Sequence, residues 1–423
     1  MPRLKVPLVW LLAGWLVTAT CQAQAVSLAF LSGEVLQLTR AELQNHQAAP
    51  QTEQAWQQLK QAADRALKQP NPSVTQKGML PPSGSRHDYL SLSAYWWPDP
   101  DKPNGLPWVR RDGEVNPASK NDQSDGVRLA RFTADVQVLA LAWYFSGDTR
   151  YAAKAQSMTR SWFIDPATRM NPNLNFAQGV PGKAQGRHTG VLDGRYFATR
   201  VVDALQLLQD SPGWHQQDQA VLHAWFSDYL DWLLHSKLAQ GERDAPNNHG
   251  SWYAAQVAGI AWYLHQPQVI KQMVILAQDK IAGQIRADGT QPMELARTRS
   301  FHYSYFNLQA LTNVAQLAQR SGTGDLWHYH QQSGSLLSAL DYMAAFSDDS
   351  KIWPWKNRDR VSLRLIPLLA LTDRSLNSDR YQRWIHRAIE MHSAANISAA
   401  EARGAEREAL RDIWLLSRPP THL

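Results

Sequence analysis

The stretch Asp244-Ala245-Pro246-Asn247-Asn248-His249-Gly250-Ser251-Trp252-Tyr253-Ala254-Ala255-Gln256-Val257-Ala258-Gly259-Ile260-Ala261-Trp262 ends one helix and begins another. Asp-Ala-Pro stops the first, because proline has no N–H to donate and restricts the residue before it. Asn or Ser ahead of an apolar-periodic run is a helix N-cap, and the run from Ala254 continues the second helix. The junction also carries chemistry, with two amides, an imidazole and two aromatics between Asn247 and Tyr253. Free N–H groups at a helix start favour an anion. The motif alone therefore fits either a capped helix with a satisfied core histidine or a carboxylate site.

The same helical spacing recurs along the chain. Apolar residues fall at three- and four-residue intervals in Glu53 to Leu67, Val127 to Tyr144, Tyr196 to Leu208 and Gln217 to Leu234. They do so again in Ser251 to Tyr263, Gln268 to Ile285, Asn307 to Ala318, Leu326 to Met343 and Tyr381 to Met391. That is the pattern of helices with one buried face. Strand-like alternation is nearly absent. Pro/Gly/Asn-rich loops occupy residues 69–85, 96–125 and 164–192, and no low-complexity linker or exact repeat divides the chain. The rhythm of helix, loop, helix predicts an all-α fold of antiparallel helix pairs. The long aromatic-bearing loops favour closure into an (α/α) toroid, or barrel, with a cleft at one end.

Residues 1–25 read as a secretory signal peptide: Arg3 and Lys5, an apolar run from Val6 to Val17, then Ala23-Gln24-Ala25 as a small-x-small cleavage site. The run is too short for a good membrane span. The expected organisation is this leader followed by one barrel domain over residues 26–423, exported to a bacterial periplasm or secreted. The single cysteine, Cys21, falls within the leader, so the mature chain has no thiol chemistry. Thr20 before it is a poor match to a lipoprotein signal. Loss of Arg3 and Lys5 lowers the formal charge from +6, leaving a mildly basic chain suited to an acidic substrate and weak for a nucleic-acid binder. Trp is abundant, at 18 residues, and tryptophan serves equally as a core residue and as a platform for sugar rings.

Four constellations carry candidate chemistry. The first is Asn247 to Tyr253. The second is Glu294-Leu295-Ala296-Arg297-Thr298-Arg299-Ser300-Phe301-His302-Tyr303-Ser304-Tyr305, in which Arg299 and Tyr303 become neighbours if both lie on one helical face. A guanidinium there favours the phenolate and lowers the tyrosine pKa, as a tyrosine base requires. An aromatic core strip with surface arginines explains the segment about as well. The third is Tyr95-Trp96-Trp97-Pro98-Asp99-Pro100-Asp101 with Leu106-Pro107-Trp108 and Arg110-Arg111-Asp112-Gly113, a sugar-stacking wall or packing beneath a long loop. The fourth is Asn171-Pro172-Asn173-Leu174-Asn175-Phe176-Ala177-Gln178 with Gly186-Arg187-His188, in which Asn175, Gln178 and Arg187 are donors to hydroxyls or carboxylates, or turn formers. No phosphate loop, dinucleotide fingerprint, paired-histidine zinc helix or serine elbow is present. The Asp99/Asp101 run lacks the pattern of a calcium loop. No metal or cofactor is expected.

Asn248-His249, followed by Glu294-Leu295-Ala296-Arg297 and then Tyr303, resembles the alginate lyase superfamily of polysaccharide lyases over residues 85–390. The Trp96-Trp97-Pro98-Asp99-Pro100 loop and Arg110 to Gly113 are similar to a branch that includes glucuronan and mannuronan lyases. Gly250 stands where the best-known bacterial alginate lyases carry Ser or Thr, and their lid lysine has no identified counterpart. The resemblance implies that Asn248, His249 and Arg297 surround a uronate carboxylate and that Tyr303 handles protons. β-Elimination of a 4-linked uronate needs that neutralisation, because the C5 proton is otherwise too weakly acidic. Tyr303 is the expected base where the proton and the leaving oxygen share a face, and His249 where they do not. Arg299, Trp96, Trp97, Arg187, Gln178, Asn175, Trp252 and Tyr305 are the expected substrate contacts, although Tyr305 would face away from Tyr303 on a helix. The expected partner is an acidic polysaccharide, with no nucleic acid and no membrane. Two rivals remain at this stage: a glycoside hydrolase using Asp193, Asp244 or Glu294, and a non-catalytic glycan-binding protein.

Overall fold

The computed structural model describes residues 25–331, 333–348, 350–358, 360, 362–394 and 400–417. The leader expected over residues 1–25, with Cys21, lies outside the described residues up to position 24. Helices α1 (Gly33–Gln44), α2 (Pro50–Leu67), α3 (Gly126–Ser146), α4 (Thr149–Thr159), α5 (Val202–Leu208), α6 (Gln216–His235), α7 (Lys237–Arg243) and α8 (Asn248–Tyr263) form the first part of the chain. They are followed by α9 (Pro267–Gln284), α10 (Pro292–Leu295), α11 (Ser300–Ser321), α12 (Leu336–Ala344), α13 (Leu365–Leu376), α14 (Gln382–Ala394) and α15 (Ala400–Asp412).

The protein is an all-α toroid. Inner helices α8 and α11 pack on each other and both contact α9. They are buried along almost their whole length, whereas α2 buries one stripe through Ala55, Leu59, Ala63 and Ala66. Small residues on α8 permit the close approach: a Cβ at Gly259 would lie 2.7 Å from the Phe30 ring and 3.1 Å from Ala198. Helix ends follow local chemistry. Gly147 and Gly322 close α3 and α11 at φ +72° and +64°, a left-handed conformation that costs glycine little.

The two ends of the described chain seal the ring. The α15 helix packs on α2, and the turn Ile413–Ser417 packs on α1, α2 and α13. Thr39 Oγ1 donates to the Leu415 carbonyl at 3.3 Å. Asp203, fully buried, accepts the backbone N–H groups of Ala29, Phe30 and Leu31 at 2.5, 3.0 and 2.9 Å. Arg320 donates to the carbonyls of Leu28 and Ala29 at 2.7 and 2.8 Å.

Four short strands line one end of the ring. Strand β1 (Leu90–Leu92) pairs in parallel with β4 (Phe176–Gly179), and β2 (Trp96–Trp97) pairs antiparallel with β3 (Val109–Arg110). They hold the long loops over the cleft. Among the described residues no helix is long and apolar enough to cross a membrane.

Two expected helices take another form. Of Leu326 to Met343, only Leu336–Ala344 is helical, because Asp325 turns the chain by accepting Trp327 N and His328 N, and Ser335 starts a capped helix afresh. Leu326 and Trp327 are buried from a loop, which mimics helical periodicity. Tyr196 to Leu208 is a wide π-turn, Phe197–Val201, leading into α5.

Candidate active site

The start of α8 is built by Asn247, whose side chain accepts His249 N at 3.1 Å as an N-cap. This places Asn248 and His249 in the first helical turn, beside a cleft of about 680 Å³ that both line. Asn248 is fully buried, and its backbone N and Nδ2 each donate to Glu294 of α10 at 2.7 Å. Burial pushes the Glu294 carboxyl above its ordinary range against those two hydrogen bonds. Asn248 Oδ1 has no hydrogen-bond partner, and one Nδ2 hydrogen remains uncommitted.

His249 Nδ1 lies 2.7 Å from Glu242 Oε1, and His188 Nδ1 lies 3.3 Å from Glu242 Oε2. Burial acts to raise the Glu242 carboxyl, but the two imidazoles outweigh it and hold the group below its ordinary value. A carboxylate at Nδ1 fixes the tautomer and leaves Nε2 as the nitrogen available to the cleft.

The second half of the site precedes and opens α11. Arg297 Nη2 and Nε bond Asp112 at 2.7 and 3.3 Å, and its Cζ stands 3.7 Å from the centroid of the Tyr303 ring. Burial favours a neutral Asp112, yet the hydrogen bonds and charge of Arg297, with Thr298, hold the carboxyl well below the usual carboxylate range. Tyr303 donates to the Tyr95 hydroxyl at 3.1 Å, and Arg299 Nη1 donates to that same oxygen at 3.4 Å. The guanidinium over Tyr303 is therefore Arg297, not the expected Arg299. The helix begins at Ser300, so Arg299 is its cap residue: its carbonyl accepts Tyr303 N at 3.0 Å, but its non-helical backbone turns its side chain off the Tyr303 ring. The Tyr303 pKa also moves opposite to expectation: burial and then Tyr95 raise it well above the ordinary phenol value, against Arg297.

Trp96, Gln178 and Arg187 line the cleft with these groups. Gln178 Nε2 donates to Asp193 at 2.8 Å. Other expected substrate contacts lie elsewhere. The Trp97 indole N–H is tied to the Glu114 carbonyl at 2.9 Å, with Arg111 over the ring. Asn175 Oδ1 accepts from Trp232 outside the cleft. Trp252, 2% exposed, packs on Phe306 in the core, and Tyr305 lines an adjoining cavity with Arg364 and Asn313 that meets the cleft at Arg195, Tyr196, His302 and Phe306. Trp252→Ala should cost about 3–5 kcal/mol of stability, as truncation of a buried aromatic does. A thermal melt unchanged from wild type would show instead that Trp252 is not part of the core.

The hydrolase carboxylates are engaged in structural bonds. Asp193 accepts from Tyr89, Ser91 and Gln178 at 2.9, 2.6 and 2.8 Å. Glu294 is held by Asn248, and Asp244 pairs with Arg243. Sequence reasoning missed the supports: Glu242, His188, Asp112 as a clamp, and the Tyr95 hydroxyl. Tyr95 and Asp112 sat inside quoted motifs, but nothing local marks their partners more than 180 residues away. Glu242 is separated from His249 by a helix break.

A family model described as alginate lyase matches residues 73–353. A crystal structure of an alginate lyase from Bacteroides ovatus is 31% identical, covering 86% of this chain and 96% of that one, with a TM-score of 0.79. Alginate lyase A1-III, a protein of Sphingomonas species A1, is similar in fold. Its histidine-to-alanine variant complexed with a tetrasaccharide is 17% identical over 76% of this chain and 78% of that one, with a TM-score of 0.50. The chain has no significant match among curated proteins. Fold, site and family match together define a polysaccharide lyase, an enzyme and not a passive glycan binder. The chain belongs to the alginate lyase family, and its substrate is a polysaccharide.

Proposed function

We propose that the enzyme cleaves a 4-linked polyuronate by β-elimination and that Tyr303 carries the proton in both directions. The observation that supports this most is the meeting of Asn248, His249, Arg297 and Tyr303 on one cleft, with the carboxylates beside them committed to holding them in place. The uncommitted Nδ2 hydrogen of Asn248 and the Nε2–H of a protonated His249 donate to the uronate carboxylate, so charge developing at C5 spreads into it. Tyr303 takes the C5 proton, and the C5–H electron pair becomes the C4=C5 double bond. The C4–O bond breaks, and the leaving oxygen takes a proton from Tyr303. Arg297, fixed by Asp112, stabilises the phenolate from above the ring.

One residue serving as base and acid requires the C5 proton and the C4–O bond on the same face. That holds for mannuronate and glucuronate chains and not for guluronate. Purified polymannuronate, glucuronan and polyguluronate, each followed by ultraviolet absorbance, test the reading. Unsaturated product is expected from one or both of the first two, and no absorbance change from any of the three would overturn it.

The raised pKa of Tyr303 makes the base form scarce at neutral pH. Below that pKa, kcat/KM should rise about tenfold per pH unit between about pH 7 and about pH 9. A flat profile there would move the base role to His249. Export to the periplasm by the leader at residues 1–25 belongs to the same proposal, because a polymeric substrate is met outside the cytoplasm. Secretion of a fusion carrying only that leader tests it, and retention of the fusion in the cytoplasm would refute it.

A further inference from the structure

Trp96 does not present a bare face to the cleft. Lys183 Nζ sits 4.6 Å and Arg187 Cζ 5.4 Å from its ring centroid. The two cations come from the turn after β4, which is held rigidly against the loop that bears Trp96. Trp108 N donates to the Pro181 carbonyl at 3.1 Å, and Val180 N to the Ala184 carbonyl at 2.7 Å. Gly182, at φ +73°, leaves no room for a side chain, since a Cβ would meet Pro107 Cα at 2.9 Å.

Arg187 is half-buried and bonds only a neutral group, Ser93 Oγ, at 3.2 Å. Burial and then the neighbouring charge of Arg110 lower its pKa, so the like charges oppose each other at the cleft wall. Arg110 shares its anion: Asp112 Oδ1 accepts from Arg110 at 2.9 Å and from Arg297 at 2.7 Å. One carboxylate thus serves two guanidiniums. Among the described residues no carboxylate pairs directly with Arg187 or Lys183, and the anion whose charge offsets Arg110 at Arg187, Glu242, is already engaged by His188 and His249. An anion placed between Arg187 and Arg110 relieves this repulsion.

We propose that Arg187, Arg110 and Lys183 form a second carboxylate subsite that holds the uronate adjoining the one cleaved, with Trp96 backing the cations and not stacking on a sugar. The subsite rests on the polyuronate reading above and deepens it: the enzyme reads charge on two consecutive sugars, and a neutral sugar at the second position binds poorly.

The test measures kcat and KM on the polyuronate that wild type cleaves, at several salt concentrations, for Arg187→Ala, Arg187→Lys and Lys183→Ala. Arg187→Ala should raise KM about tenfold or more with kcat within about threefold, because the lost contact lies away from the bond broken. The dependence of KM on salt should flatten, and Arg187→Lys should recover most of the KM. Lys183→Ala, on an exposed side chain, should shift KM in the same direction by less without threatening the fold. Unchanged KM in Arg187→Ala and Lys183→Ala overturns the subsite, as does a loss of kcat at constant KM, or a lysine variant no better than alanine. If wild type releases no unsaturated product from any polyuronate, the function itself fails. If wild type cleaves and the variants match it, only the subsite fails.

Discussion

Tyr303→Phe is expected to lose about 10²- to 10⁴-fold in kcat, the range associated with removing a positioned general acid–base group. The substitution is conservative in every other respect. The ring remains beneath Arg297, whose bonds to Asp112 do not involve the hydroxyl. The Tyr95 hydroxyl keeps its contact with Arg299. The variant should therefore fold and bind oligouronate with nearly wild-type affinity. Calorimetric binding beside ultraviolet turnover separates the two effects. Turnover within about tenfold of wild type would remove Tyr303 from the proton-transfer steps.

Glu242→Gln is expected to be the next most damaging change, although Glu242 is fully buried and is placed to act through His249. Glutamine keeps the size but removes the charge that selects the His249 tautomer, and it offers one acceptor oxygen to two imidazoles. Loss of such an orienting carboxylate typically costs about 10–100-fold, and more where the wrong tautomer results. Stability supplies a second readout. The folded-state pKa of Glu242 lies below its ordinary value, so its contribution is present above the unfolded glutamate pKa and is lost as pH falls through the folded one. Melting temperatures of wild type and variant should differ near neutral pH and converge progressively once pH falls below the ordinary glutamate value of about 4.3. A constant difference across that window would show that the carboxylate charge is not what Glu242 contributes.

The helical class was legible because it depends on local spacing, and α3, α6, α8 and α9 begin and end within a few residues of their apolar patterns. Leu326 to Met343 misled because burial from an ordered loop produces the same spacing as burial from a helix. Helices α1 and α4 were unread, since their starts depend on the single cap residues Ser32 and Asp148. At the site, Asn248, His249, Arg297 and Tyr303 were legible as two short motifs. The assignment of the guanidinium was not, because it turned on whether α11 starts one residue earlier, and it starts at Ser300. Glu242, Asp112 and Tyr95 support the others through contacts that tertiary folding alone creates.

The closure of the toroid has a consequence for how the enzyme comes into being. All four side chains assigned to the chemistry lie between residues 248 and 303, yet Thr39 bonds Leu415 across 376 positions, and α15 must dock on α2 to complete the ring. During synthesis the reacting groups and the whole lining of their cleft, Tyr89 to Phe306, emerge before the last segments that close the ring behind them. Contacts of such sequence separation form late, because the entropy of closing the intervening chain is lost before the contact is made. Activity should therefore appear in a single late step during refolding, together with docking of the last helix, while helical signal accumulates earlier.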